Sequence, residues 1–145
     1  MAALLILLAV VAGAFLPTQG AINARLAQFV GGPLRASFVS FVVGALVLLV
    51  VVAVAARSGG HRIGGAPWWV WTGGALGAVY VTSTVYVSPR IGAATFFGIL
   101  VAAQLVMSVV IDRFGLLGFP QRGLEPGRIA GIALLVVGAV LVRVF

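Results

Sequence analysis

The sequence contains no cysteine and no lysine, one histidine, and only two acidic residues in 145. Without cysteine there are no disulfides and no thiolate metal sites. His61 stands in a glycine-rich stretch with no other ligand-type side chain beside it, so it lacks the clustering that a metal site requires. Asp112 and Glu125 are the two acids, and they form neither a carboxylate pair nor a Ser/His/Asp set. No catalysis is expected from such an inventory, and no cofactor is implied. Charge of any sign is scarce, at 8% of residues against roughly 25% in a soluble domain. The net charge of +7 comes from nine arginines. They are isolated from one another rather than gathered into a stripe, which speaks against a nucleic-acid surface and for anchors at a membrane face.

What the sequence has in abundance is long uncharged runs. Residues 1–24, 36–56, 63–89, 91–111 and 129–142 carry no charge. Each of the first four approaches or exceeds the ~20 apolar residues needed to cross a ~30 Å hydrocarbon core. The fifth reaches that length if Arg128 and Arg143 snorkel to the two surfaces. A barrel is excluded because its strands are ~10-residue alternating segments. The chain therefore reads as an all-α integral membrane protein of one transmembrane domain, residues 1–145. Its five spans fall at about 3–24, 34–56, 67–88, 91–111 and 127–145. Ala12-Gly13-Ala14 mimics a cleavage site, but no positive region precedes the first apolar run, so that run is expected to remain as span 1.

Punctuation between the runs agrees with this division. Gly31-Gly32-Pro33 makes the first turn, and 57–66 is a glycine-rich loop. Pro67 suits a helix start, and Trp68, Trp69 and Trp71 form an interfacial aromatic belt. Both acids lie in a second surface segment, Asp112 to Pro126.

Polar residues within the spans mark candidate function. Gln19 and Asn23 are four apart and share a helix face just after Pro17, which removes a backbone donor and can loosen the helix. Such amides serve either a polar substrate path or helix–helix hydrogen bonding. Among the hydroxyls of span 3, Tyr80 is large, polar-tipped and well inside. Gln104 lies near the middle of span 4, where an amide must face protein or water rather than lipid. These four residues are the substrate-path candidates. Asp112, at the end of span 4, opposes the helix dipole and calls for Arg113, Arg122 or Arg128 as a partner; it is the candidate for coupling or gating beside a plain surface ion pair. Glu125 precedes Pro126 and suits a helix cap. Gly127, Gly131 and Gly138 share a face of span 5 and are candidates for dimer packing, since small residues let helices approach.

The arginines are nearly balanced across the membrane. Arg57, Arg62, Arg113, Arg122 and Arg128 fall on one side; Arg25, Arg35, Arg90 and Arg143 fall on the other. Orientation follows this difference, so five against four implies weak orientation, with insertion both ways up set against a single orientation fixed by details that a count misses. Two copies of opposite orientation form a ten-span inverted repeat, the arrangement of alternating-access transporters.

The run Pro17-Thr18-Gln19-Gly20-Ala21-Ile22-Asn23-Ala24 resembles the first-helix signature of the short five-helix YdcZ-type family of the drug/metabolite transporter superfamily. The segment from Ala36 to Gly44 resembles its second helix. Gln104-Leu105 and the following Ile111-Asp112-Arg113-Phe114-Gly115-Leu116-Leu117-Gly118 resemble its fourth helix and loop, although Ala103 stands where the family usually has glycine. The resemblance implies a half-transporter of the inner membrane, found as dual-topology homodimers, paired genes or fused ten-helix forms, that moves small molecules. It does not imply the glutamate-based proton exchange of the four-helix multidrug exporters, because no acid lies within a span here.

Taken together, the expected function is export of small polar or amphipathic metabolites by an antiparallel homodimer using alternating access. The alternative is a non-transporting scaffold or partner subunit of another half-transporter; amides at the midplane favour transport. The arginine balance generates a direct test. Two lysines added beside Arg62 should fix the 57–66 loop in the cytoplasm, and two beside Arg90 should fix the opposite orientation. Topology reporters fused at Phe145 should then switch between one-sided states, with the parent giving both signals. One unchanging, one-sided signal from all three would refute dual insertion.

Overall fold

The computed structural model describes residues 1–55 and 66–145. The glycine-rich loop with His61, Arg57 and Arg62, and the last residue of the expected second span, lie outside the described residues. Five long helices account for nearly all the rest: α1 Ala2–Val30, α2 Pro33–Ala55, α3 Gly73–Ile91, α4 Ala93–Phe114 and α5 Pro126–Val144. There is no strand among the described residues. The all-α membrane architecture read from the uncharged runs is the one observed. Helices α1, α2, α4 and α5 are each long and apolar enough to cross a membrane. Helix α3 has 19 residues, but its hydroxyls and Arg90 dilute its apolar content.

The chain forms two compact units, Met1–Pro89 and Arg90–Phe145. In the first, α1 packs on α2. Helix α1 is longer than its uncharged run. At 29 residues it extends about 43 Å at the usual 1.5 Å rise, well beyond the hydrocarbon core. The extra turns are held by local side-chain pairs: Arg25 donates to Gln28, and its guanidinium lies 5.2 Å from the Phe29 ring centre. Pro17 does not end the helix. It withholds one backbone donor, and the hydroxyl of Thr18 beside it donates to the Ala14 carbonyl at 2.9 Å.

Helix α1 stops at Gly31, whose φ of 82° is open to glycine at little cost. The Gly32 N–H then reaches back to the Ala27 carbonyl at 2.8 Å, and Pro33 begins α2. A Cβ at Gly31 would stand 2.7 Å from the Arg35 guanidinium, the movable end of a long side chain, so it is the positive φ rather than space that calls for glycine. Just inside this turn is the tightest packing of the unit. Ala36 is wholly buried and clusters with Val81 and Val85 of α3, flanked by Leu26, Ala27, Val30 and Tyr80. Buried hydroxyls nearby are satisfied within their own helices: Ser37 donates to the Pro33 carbonyl and Thr84 to that of Tyr80, each at 2.9 Å. Ahead of α3, Trp68–Thr72 forms a 3₁₀ turn after Pro67, so the tryptophans precede the α-helix rather than open it, and all three are exposed as a belt residue should be.

In the second unit α4 packs on α5. Their close approach is at Gly98, where an added Cβ would lie 3.7 Å from the Ala139 Cα. Gly127, Gly131 and Gly138, by contrast, have open space in front of them. Small residues thus serve two faces of this pair, one occupied within the chain and one left uncovered. Gly98→Leu should destabilise this unit by about 1–3 kcal/mol, because an overpacked contact must move a backbone. Gly131→Leu should leave monomer stability unchanged. Thermal unfolding in detergent micelles measures both, and equal effects would contradict this assignment of faces.

Candidate functional site

Helix periodicity places Phe15, Thr18, Gln19, Ile22, Asn23 and Leu26 on one stripe of α1, at steps of three and four. That stripe faces Val39, Ser40 and Val43 of α2 across a groove of about 410 Å³. Most of its wall is hydrocarbon. Gln19 and Ser40 also border a second recess, of about 270 Å³, with Gly44, Leu48 and Val81. The two amides that the sequence marked on span 1 therefore share one cavity wall, and Ser40 joins them from α2. Ser40 was not legible beforehand, because a serine in a valine-rich span is usually tied to its own helix, as Ser37 is.

The polar groups of the groove differ in how they are satisfied. The hydroxyl of Thr18 is engaged with the Ala14 carbonyl. Gln19 is exposed and makes no side-chain hydrogen bond among the described residues. Asn23 is 4% exposed, and its Nδ2 has no hydrogen-bond partner. A buried donor without a partner costs on the order of 1–3 kcal/mol. Such a group stands out in a helix whose other polar atoms are locally paired or reach the surface.

Tyr80 and Gln104 are placed differently. Tyr80 is half-buried against the Ala36–Val81–Val85 cluster in the first unit and does not line the 410 Å³ groove. Gln104 lies on an exposed face of α4 in the second unit; its backbone carbonyl accepts from Ser108 at 2.8 Å. A separate recess of about 240 Å³ in that unit lies between α4 and α5 and has Arg143 at its margin.

Asp112 finds its partner in Arg128, the nearest in space of the three arginines that the sequence offered. The pair is part-buried, with side chains 20% and 32% exposed. The segment between them folds back on the end of α4. Gly115 closes the helix with φ 61°, the Arg122 N–H donates to the Asp112 carbonyl at 2.8 Å, and the Gln121 amide donates to the Arg113 carbonyl at 3.0 Å. This brings the start of α5 alongside Asp112. Glu125 occupies the N-cap position of α5 as expected, but its side chain makes no capping bond. Its backbone carbonyl does that work, accepting from Arg128 and Ile129 at 2.9 and 3.2 Å. With Pro126 in the first turn, one N–H fewer needs a cap. No group of His, Asp and Glu among the described residues could hold a metal ion.

The model of the family described as "Putative inner membrane exporter, YdcZ" matches residues 4–141, nearly the whole chain. The chain belongs to the YdcZ family. The inner membrane protein YdcZ of Escherichia coli strain K12 is 34% identical over 137 residues, covering 92% of this chain and 90% of that protein. No solved structure matches. As a YdcZ-family protein the chain is a multi-pass protein of the inner membrane and, at the level of the family, a membrane exporter; the family is not one of enzymes.

The orphaned amide generates a prediction independent of transport. Asn23→Leu keeps a similar bulk and deletes a buried, unpaired donor. It should leave the folded protein as stable as the parent or more stable by roughly 1–2 kcal/mol. Thermal unfolding in micelles reads this out; a clear loss of stability would mean that Asn23 is hydrogen-bonded within the folded chain.

Proposed function

We propose that the chain exports small polar or amphipathic metabolites as an antiparallel, dual-topology homodimer working by alternating access. The observation that carries this reading is the α1–α2 groove. It holds a buried amide without a partner and a second amide, Gln19, open to what would be lipid. Hydrocarbon satisfies neither, at a cost of several kcal/mol per unpaired group. An inverted second copy laid over the groove would enclose these amides in a protein-lined, hydrated cavity near the midplane. The uncovered glycine face of α5, with Gly127 and Gly131 open, offers a close-packing surface for the same assembly. Gln104, exposed on α4 and near mid-span, supplies a further amide to the path; Tyr80 backs the helix packing beside the groove.

Asp112 serves in this scheme as a gate anchor. Its pair with Arg128 ties the end of α4 to the start of α5, and rocking of one element on the other has to bend or break that tie.

The test is solute flux in proteoliposomes, using a panel of neutral metabolites to find a transported one. Asn23→Leu and Gln104→Leu should each lower flux at least tenfold while the dimer persists in single-molecule counting. Full flux in both variants would remove the amides from the path and leave them as helix–helix contacts.

A further inference from the structure

We infer that the cargo of the α1–α2 groove is an uncharged amphipathic molecule carrying a carbonyl-type acceptor, which the Asn23 amide reads by donating a hydrogen bond. This rests on the groove being the transport path.

Three observations converge on that ligand chemistry. First, Asn23 Nδ2 is a donor without a partner in a side chain 4% exposed, so the complementary group is an acceptor. In the conformation described it is shielded. Turning the amide toward the groove that Asn23 lines exchanges an orphaned donor for a satisfied one, so an acceptor ligand relieves a standing cost rather than competing with an existing bond. Second, the remaining wall is apolar, formed by Phe15, Ile22, Leu26 and Val43 among others, and accepts a hydrocarbon body. A space of about 410 Å³ suits a small molecule rather than a peptide segment. Third, no ion can be balanced there. No carboxylate and no cation is among the residues that line the groove, and Arg25, two residues along α1 from Asn23, is engaged with Gln28 and the Phe29 ring. A charged solute in that setting would be buried without a counter-ion, which is heavily disfavoured.

The sequence provides an unusually clean probe, since Asn23 is its sole asparagine. Protein labelled with ¹⁵N-asparagine and held in phosphatidylcholine nanodiscs gives one side-chain NH₂ pair in the nuclear magnetic resonance spectrum. N,N-dimethylhexanamide, an uncharged acceptor with an apolar tail, should move that pair downfield saturably. Hexyltrimethylammonium, a cation of similar length, should not. Val43→Trp places bulk in the groove from an exposed position, so it should fold and should abolish the saturable shift. A saturable shift with the cation and none with the amide would overturn the uncharged-cargo inference and keep the groove as the path. Absence of a saturable shift with either probe, or a shift undiminished in Val43→Trp, would overturn the inference together with the groove itself.

Discussion

Every polar group that this chain carries into the bilayer must find a partner in protein or in trapped water, because hydrocarbon offers none. That constraint organises the molecule. It makes each uncharged run a helix, it returns the hydroxyls of Thr18, Ser37, Thr84 and Ser108 to carbonyls one turn back, and it closes α1 and α4 with positive-φ glycines whose N–H groups bond within the helix. Against that local pairing, Asn23 Nδ2 is the buried side-chain donor left without a partner among the described residues, and it shares one groove with the exposed Gln19.

The helices were legible because charge is excluded from hydrocarbon, so arginines mark where spans end. The length of α1 was less so. Arg25 read as the end of span 1, yet it bonds to Gln28 on one helix face and the helix continues to Val30. A shared face for Gln19 and Asn23 followed from spacing alone. That Ser40 and not Tyr80 would meet them across the groove depends on which face of α2 turns toward α1, and a helix as uniformly apolar as α2 carries no periodic signal to say so. The glycines show the same limit: Gly127, Gly131 and Gly138 share a face, but periodicity does not reveal that the intrachain contact is made by Gly98 on Ala139.

Asp112 illustrates the opposite case, where chemistry named the kind of partner and the loop chose the individual. Three arginines were eligible. The backbone bond from Arg122 and the side-chain bond from Gln121 fold the 115–125 segment back on α4, and this delivers Arg128 to the carboxylate. A five-helix exporter is short of volume, so each region has room for one task. In the proposed exporter α1 and α2 would hold the half-site, α4 and α5 would carry the tied ends, and a second, inverted copy would supply the missing wall.

That last element is the central claim, and the natural absence of cysteine makes it directly measurable. One cysteine placed at Phe29, near the α1–α2 turn, and another at Gly118, in the loop after α4, fall on opposite membrane faces of one copy by the five-span order of the sequence. A bis-maleimide shorter than the ~30 Å hydrocarbon core should join a Phe29→Cys copy to a Gly118→Cys copy in membranes and should fail to join either variant to itself. Efficient self-joining of both variants without mixed products would show parallel copies and contradict the inverted half-transporter.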